Sequence, residues 1–144
     1  MQYPVVIHKD PDSDYGVTVP DLPGCFSAGE TIEEALEGAK EAIECHLEGL
    51  LMDEEDIPLP AAIDAHRNDE NYRDGIWALV SVDITQLSGK TKRVNVSVPE
   101  RLLKKIDGFA ARHNETRSGF LVSSALEAMG RESVAAHQIA AGDV

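Results

Sequence analysis

One stretch constrains the fold of this chain more than any other: the run from Lys92 to Pro99, where a strand pattern leads directly into helical patterns. Side chains along a β-strand point alternately to its two faces. Here one face carries three valines and the other three polar residues, namely Val94, Val96 and Val98 against Arg93, Asn95 and Ser97. The valine face needs a hydrophobic core. The polar face offers hydrogen-bonding groups about 6.6–7 Å apart, roughly two base-pair steps of a DNA duplex. The segment therefore predicts a strand that reads DNA.

Two amphipathic helices are predicted after this strand. Pro99 suits the start of the first, because its missing N–H would have no partner there, and the helix should end around His113-Asn114. Thr116 can cap the second helix, and Gly130 is its predicted C-terminal stop. The Ala-rich segment 132–144 is predicted to be a flexible tail. Apolar positions recur every three or four residues: Leu102, Leu103, Ile106, Phe109 and Ala110, then Phe120, Leu121, Ala125, Leu126 and Met129.

A unit of one strand and two helices, roughly 45 residues long, cannot bury an adequate core by itself. Its single strand also lacks a partner within the unit. Pairing two copies through the valines would solve both problems and give a two-fold symmetric homodimer. The predicted dimer core consists of Val94, Val96, Val98, Leu102, Ile106, Phe120 and Leu121. The paired strands would fit the major groove, where Arg93 can bind guanine and Asn95 adenine. A merely solvated polar face is the competing interpretation of the same pattern.

Charge divides the chain into two unlike pieces. Residues 1–90 carry 5 Lys and Arg against 20 Asp and Glu, a balance of −15, whereas residues 91–144 carry 8 against 6. Within residues 91–117 the balance is +4. The net charge of −13 would argue against DNA binding, but it averages these pieces. Turn residues lie at the boundary, so two domains joined by a linker are predicted. The segments are 1–87, 88–91 and 92–131.

The first domain is predicted to be a small α+β unit. Thr31 and Glu34 have the spacing of a capping box, which starts a helix that should end near Met52. Residues 61–75 are predicted to be a polar loop that could include one helical turn, and the run Ile76–Ile84 is apolar enough for a central strand. Three further strands are predicted at Tyr3–His8, Tyr15–Pro20 and Cys25–Ser27. The first two of these should form an antiparallel hairpin.

A string of short motifs in this domain resembles the HicB antitoxin family. The motifs are Leu22-Pro23-Gly24-Cys25, Gly29-Glu30-Thr31, Glu33-Glu34-Ala35 and Ile57-Pro58-Leu59-Pro60, set among the strands and the capped helix. The similarity covers roughly residues 3–85. The resemblance implies a fold like a truncated ribonuclease H, with an antiparallel sheet and one main helix, that serves as a protein-binding module. It also implies the partner, which is HicA, a small basic toxin that cleaves mRNA.

The second domain resembles the ribbon-helix-helix class of DNA-binding dimers, which some HicB proteins carry at this end. The resemblance implies that Arg93, Asn95 and Ser97 are the base-reading positions. The start of the second helix, with Arg117 and Ser118, would hold a phosphate through backbone N–H groups and the helix dipole. Lys92 is a further predicted phosphate contact. Thr or Lys is commoner than Asn at the second base-reading position of the class, so the preferred bases stay open.

The acidity of the first domain suits a basic partner, because complementary charge favours encounter and register. The predicted toxin contacts lie in the first turn and on the outer face of the capped helix: Asp10, Asp12, Asp14, Tyr15, Glu37 and Glu41. Ordinary solubility would account for the same charges.

Neither catalysis nor a bound metal or cofactor is predicted. Two-metal nucleases need carboxylates that converge from separate elements, whereas the first three aspartates share one turn and Asp83 alone could join them. The five histidines have no metal-ligand spacing. Cys25 and Cys45 form no CxxC motif, which fits a reducing cytoplasm. No apolar run approaches the ~20 residues that span a bilayer, and the N-terminus lacks the pattern of a secretory signal.

The sequence therefore predicts a cytoplasmic antitoxin, dimeric or tetrameric, that neutralises a HicA-like toxin and represses its own operon by binding operator DNA. One alternative is a ribbon-helix-helix regulator whose N-terminal domain senses a ligand or another protein. A metal-dependent nuclease is the third possibility.

Overall fold

The structure is a computed structural model that describes residues 1–87 and 89–142, with side chains of the last helix described as far as Glu132. The chain divides into two compact units, unit 1 (Met1–Val82) and unit 2 (Asp83–Val144). This division lies five residues before the predicted end of the first domain. A short 3-10 helix, Ile84–Gln86, contacts the last helix of unit 2, and Leu87 after it is buried. Residues predicted to close the first domain therefore belong to the second unit.

Unit 1 contains a four-stranded antiparallel sheet in the order β3-β2-β1-β4. Its strands are β1 Gln2–Lys9, β2 Tyr15–Thr18, β3 Phe26–Gly29 and β4 Ile76–Ser81. The predicted hairpin of β1 and β2 is confirmed, with Lys9 opposite Tyr15. The predicted central position of β4 is wrong, because β1 lies between β2 and β4 and leaves β4 at an edge. Strand apolarity could not reveal this, since sheet order depends on which strands pair and not on hydrophobicity alone.

Helix α1, Ile32–Met52, covers one face of the sheet. The predicted capping box is confirmed: Thr31 Oγ1 accepts the Glu34 N–H at 3.1 Å, and Glu34 Oε2 accepts the Glu30 N–H at 3.0 Å. Its buried residues follow helical spacing and are Ala35, Ala39, Ile43 and Leu47. At the other end, Glu54 adopts the left-handed conformation with φ of 55°. This conformation lets the N–H groups of Glu54 and Glu55 bond back to carbonyls of the last turn.

A strap, residues 57–75, follows α1, and its part from His66 to Gly75 lies on the opposite face of the sheet. It contains a short helix α2, Ile63–His66, and a 3-10 turn, Glu70–Tyr72. The rings of His66 and Tyr72 contact Trp77 of β4, with centroids 6.4 and 5.7 Å from it. Gly75 closes the strap where any Cβ would clash with Val6 and His8. The strap and α1 together bury β1 on both faces.

Unit 2 contains two longer helices, α3 Glu100–Arg112 and α4 Arg117–Gly142. Pro99 occupies the N-cap of α3, and the aromatic rings of Phe109 and Phe120 pack between the helices at 5.1 Å. The predicted stop at Gly130 is wrong, because α4 continues through it to Gly142. A single interior glycine costs a helix only about 1 kcal/mol relative to alanine, and the Ala-rich continuation favours helix. The predicted tail is thus helical to Gly142, its flexibility stays a prediction, and residues 143–144 lie outside the described part.

Candidate partner-binding surfaces

The extended segment before α3 carries the predicted base-reading residues. Residues 91–99 belong to no helix and to no hydrogen-bonded strand. Arg93, Asn95 and Ser97 are exposed on this segment, and Lys92 is exposed beside them. These polar residues and the valines face opposite sides only if the segment is a β-strand. A strand requires a neighbouring strand to hydrogen-bond with. Among the described residues that partner is absent.

The apolar side of the same segment is also uncovered. Val94 and Val96 are each 71% exposed, and Val98 is half-buried. Among the other predicted dimer-core residues, Leu102 and Leu121 are exposed. Ile106 and Phe120 are half-buried. Of the 16 hydrophobic residues that are buried in the described chain, only Leu87 and Ala110 belong to unit 2. Unit 2 therefore has an apolar surface that its own helices do not cover.

The N-terminus of α4 is closed by its own side chains. Thr116 Oγ1 accepts the Gly119 N–H at 3.0 Å. Arg117, a predicted phosphate ligand, donates from Nε and Nη2 to the two carboxylate oxygens of Asp107 on α3, both at 2.8 Å. This side-on pair leaves Nη1 of the guanidinium pointing away from Asp107. Ser118, the other predicted phosphate ligand of this helix, is exposed in its first turn.

The pair between Arg117 and Asp107 also has an electrostatic consequence. The hydrogen bonds from Arg117 lower the pKa of Asp107, and the same bonds raise the pKa of Arg117. Because the folded-state pKa of Asp107 lies below its unfolded value, any stability from the pair is present above the unfolded pKa. It is lost as the pH falls through the lowered folded pKa. Both groups face solvent, so the contribution is small.

The predicted toxin contacts lie on two elements of unit 1. Asp10, Asp12 and Asp14 are exposed in the turn between β1 and β2, where Ser13 Oγ accepts the Asp10 N–H and donates to the Asp10 carbonyl. Tyr15 is half-buried, and the Lys9 ammonium lies 5.6 Å from its ring centroid. The remaining two residues, Glu37 and Glu41, are exposed on α1. The turn and the α1 glutamates thus present carboxylates to solvent from two separate elements.

A partly buried set of polar contacts in unit 1 is not predicted by the sequence. Asp21 accepts hydrogen bonds from the Ala61 N–H at 3.1 Å and lies 2.9 Å from Nε2 of His66. Tyr3 donates its hydroxyl proton to the Pro58 carbonyl at 2.7 Å. Burial raises the pKa of the Tyr3 phenol, and the charge of Asp21 adds to the increase. These contacts fix the strap, and no local pattern relates residues 40–55 positions apart.

The sheet face under the strap is only partly covered. The strand registers align Phe26, Thr18, Val6 and Trp77 in one row across all four strands. At the two ends of this face, Phe26 of β3 is 65% exposed and Leu79 of β4 is 52% exposed. The sequence predicts no role for either side chain, because alternation alone does not indicate how far a covering segment extends.

The described residues contain no group of three or more His, Cys, Asp or Glu side chains that could hold a metal ion. Both cysteines are free thiols, with Cys25 buried and Cys45 exposed. Burial raises the pKa of the Cys25 thiol, and Cys45 contributes a smaller increase. Within the same described ranges, no helix is long and apolar enough to cross a membrane.

Comparisons with known proteins point to a single family. A family model described as a HicB-like antitoxin of bacterial toxin-antitoxin systems matches residues 3–125. An uncharacterized 14.9 kDa protein of Haemophilus phage HP1 is 49% identical over 123 residues, which cover 84% of this chain and 92% of the phage protein.

Two solved structures extend the comparison. The crystal structure of the antitoxin HicB from Burkholderia pseudomallei is 47% identical, covers 89% of this chain and 98% of that chain, and has a TM-score of 0.73. A chain of the HicA3 and HicB3 toxin-antitoxin complex is 30% identical and covers 58% of this chain and 99% of its own length, with a TM-score of 0.50. The α+β architecture of the antitoxin structures is therefore the architecture of this chain.

Proposed function

This chain belongs to the family of HicB-like antitoxins of bacterial toxin-antitoxin systems, and from that premise we propose a function for each unit. Unit 1 binds and neutralises a HicA-like toxin that cleaves mRNA. Unit 2 pairs with a second copy, binds operator DNA and represses the operon that encodes both proteins. In this proposal both units act in the cytoplasm.

The observation that carries the toxin-binding role is the similarity to a chain solved in a toxin-antitoxin complex. The match covers 58% of the 144 residues, or about 84, which is close to the 82 residues of unit 1. Unit 1 has 4 Lys and Arg against 19 Asp and Glu, a formal charge of −15. A charge of this size attracts a basic partner and favours its encounter. The proposed fold of this unit is a truncated ribonuclease H.

The proposed toxin-contact set combines the two exposed acidic elements of unit 1. In this proposal the aspartate turn and the outer face of α1 face basic side chains of the toxin, while half-buried Tyr15 supplies apolar contact area. The contact residues are Asp10, Asp12, Asp14, Tyr15, Glu37 and Glu41.

The observation that carries the DNA-binding role is the exposed alternating segment before α3. Its two uncovered valines, Val94 and Val96, are the surface that a second copy would bury. Pairing the segment with its symmetry mate would supply the missing ladder hydrogen bonds and complete the core with Leu102, Ile106 and Phe120. The product is a ribbon-helix-helix dimer. Unit 2 carries 9 Lys and Arg against 7 Asp and Glu, so this unit does not repel DNA as unit 1 does.

In the proposed complex the ribbon lies in the major groove. Arg93, Asn95 and Ser97 contact base edges, and Arg is suited to guanine as Asn is to adenine. Lys92 and Ser118 contact phosphates. Arg117 contributes through its outward Nη1 while Asp107 holds the other side of the guanidinium, so this contact adds orientation and little net charge.

Co-expression with any toxin-sized reading frame found beside the gene tests the proposal directly. We expect the tagged chain to retain the neighbouring protein on an affinity column and to relieve its growth arrest. We also expect the purified chain to shift operator DNA in a gel more strongly than a scrambled duplex.

The contrary outcomes are specific. Operator binding without any toxin partner would favour a regulator whose first unit senses a ligand or a different protein. RNA or DNA cleavage by the purified chain in the presence of a divalent metal would favour a nuclease and contradict the antitoxin proposal.

A further inference from the structure

The two cysteines of this chain lie on neighbouring elements of unit 1. Cys25 stands immediately before β3 and is only 4% exposed, whereas Cys45 lies on α1 and is exposed. Both are free thiols. Neither the toxin-binding role nor the DNA-binding role uses these side chains.

Cys25 extends β3 by one residue and faces α1. Its carbonyl accepts the Val19 N–H at 3.3 Å, and this bond continues the antiparallel register of β2 and β3. Alternate residues of a strand share a face, so Cys25 points to the same side as Ser27. Ser27 Oγ in turn donates to the Ala35 carbonyl of α1 at 3.0 Å. The buried thiol of Cys25 is therefore directed at the helix.

Cys45 lies on the side of α1 that approaches β3. The helix comes close to the strand at Gly38, where an added Cβ would clash with Ser27 Oγ. Cys45 follows Gly38 by seven residues, which is almost two full helical turns. Both positions are therefore on nearly the same side of the helix, and the small side of Gly38 lets the two backbones approach closely.

The two thiols also lie at similar heights along α1. The strand and the helix run in opposite directions, since Gly29 contacts the first turn of α1 and Ser27 the second. Cys25 is about 6.6–7 Å farther along the strand, a distance that about four to five helical residues span. It is therefore level with residues 42–43. Helical side chains lean toward the N-terminus, which directs the sulfur of Cys45 toward this level.

The electrostatics of the buried thiol agree with this placement. Burial raises the pKa of Cys25, and Cys45 adds to the increase. Charge on one sulfur affects the other appreciably only at short range, because the interaction falls with distance and is screened by solvent. The coupling therefore supports the proximity that the strand and the helix dictate.

We propose that Cys25 and Cys45 form a site of reversible oxidation, at which a peroxide converts the two thiols into an intramolecular disulfide between α1 and the start of β3. The exposed Cys45 reacts first, because the oxidant reaches it from solvent while Cys25 is shielded. The site does not depend on toxin or DNA binding.

The chemistry proceeds in two balanced steps. The sulfur of Cys45 attacks hydrogen peroxide, the O–O bond breaks, and the products are the sulfenic acid of Cys45 and one water molecule. The sulfur of Cys25 then attacks that of Cys45. The S–S bond forms as the S–O bond breaks, and the proton of Cys25 leaves with the hydroxyl group as a second water. The two thiols lose two electrons in total, and the peroxide gains them.

The disulfide would act as a clamp on unit 1. It joins positions 20 apart in the sequence, and the enclosed loop contains β3 and two-thirds of α1. Closing this loop restricts the unfolded chain and so favours the folded one. Disulfides in the cytoplasm are usually transient, because thiol reductants such as glutathione reverse them. The stability of unit 1 would therefore follow the redox state of its surroundings.

Hydrogen peroxide treatment of the reduced full chain tests the proposal. By intact mass, the treated chain should lose two hydrogen atoms, and both thiols should resist alkylation after unfolding. Peptide mapping should find Cys25 linked to Cys45, and dithiothreitol should restore two alkylatable thiols. The oxidised chain should melt on the order of 10 °C above the reduced chain.

Two variants are matched controls. Cys45→Ser removes the exposed thiol with little change in volume, and peroxide should no longer raise its melting temperature. Adding Lys40→Cys to this variant restores a second thiol at an exposed position about 140° around the helix from Cys45. This double variant should form no intramolecular disulfide. Circular dichroism establishes that both variants fold.

Each outcome decides for or against the site. A disulfide between two copies, or oxidation of Cys45 to the sulfinic acid while Cys25 remains alkylatable, would overturn the proposal. So would an equal yield of intramolecular disulfide from the Lys40→Cys variant, because the bond would then reflect unfolding and not the packed geometry. A linked pair without a higher melting temperature would support the oxidation site and contradict the clamp.

Discussion

The two units of this chain differ in how they complete their cores. Unit 1 buries β1 between α1 and the strap, and it supplies 14 of the 16 buried hydrophobic residues of the described chain. Unit 2 has a comparable supply of apolar residues but leaves its valine segment and one side of its helices exposed. An apolar pattern in the sequence therefore has two outcomes, a core closed within one chain or a surface that awaits a second chain.

The largest effect is expected where the core closes within the chain. Ile43 of α1 is fully buried, so Ile43→Ala should lower the free energy of unfolding of unit 1 by about 2–5 kcal/mol. Leu51→Ala on the same helix is the control, because Leu51 is half-exposed and should cost under about 1 kcal/mol. Urea denaturation followed by the fluorescence of Trp77 measures both. An equal loss from the two variants would contradict the described core.

The next largest effect is expected from one of two similarly exposed apolar side chains, one in each unit. Val96→Glu should prevent the strand pairing of unit 2 and weaken operator binding on the order of 100-fold, which corresponds to about 2.7 kcal/mol. Phe26→Glu in unit 1 alters a side chain of similar exposure and should leave operator binding unchanged. Fluorescence anisotropy with labelled operator DNA measures both. Undiminished binding by Val96→Glu would refute the ribbon dimer.

A third substitution separates the functions of the two units. Arg93→Ala should cost operator binding about 1–3 kcal/mol through the loss of a base contact, while toxin neutralisation remains intact. Arg131→Ala, an exposed arginine on α4, provides the control and should have little effect on either activity. Gel shift and growth rescue are the two measurements. Loss of both activities with Arg93→Ala would show that the units are not independent.

The smallest effect on stability is expected at the C-terminal ends of α1 and α3, which have the same backbone geometry. Glu54 after α1 and Asn114 after α3 both adopt left-handed φ values, 55° and 54°. Glycine has no Cβ to strain this conformation, so Glu54→Gly should stabilise unit 1 by about 1 kcal/mol. Asn114→Gly should stabilise unit 2 by less, because asparagine tolerates this region. Thermal melting decides, and a destabilising Glu54→Gly would contradict the described cap.

Much of the fold could be predicted from residues close together in the sequence. The Thr31 cap, the hairpin of β1 and β2 and the helix spacing of α1 depend on neighbours within a turn or a tight loop. Apart from the helix stop at Gly130, the errors involved distant partners. The edge position of β4 depends on pairing with β1 residues that lie 69 to 79 positions earlier. Asp21 and His66 are 45 positions apart, and Arg117 finds Asp107 across a helix pair.

The candidate surfaces also divide into features that the sequence could identify and features that it could not. The alternating segment from Arg93 to Val98 could be identified from period-two spacing and its local positive charge. The uncovered Phe26 and Leu79 could not, because their exposure depends on how far the strap extends over the sheet. Likewise, the sequence predicted Arg117 as a phosphate contact, whereas folding places Asp107 against it.

By itself, then, the sequence determined the local elements, the separation of charge between two units and the family to which the chain belongs. These follow from side-chain chemistry and short spacing, which act before distant segments meet. Only the tertiary structure decided which strand is the edge, which carboxylate holds which cation, and which apolar residues stay uncovered. Those features depend on contacts between segments far apart in the chain, because burial and pairing are properties of the packed molecule.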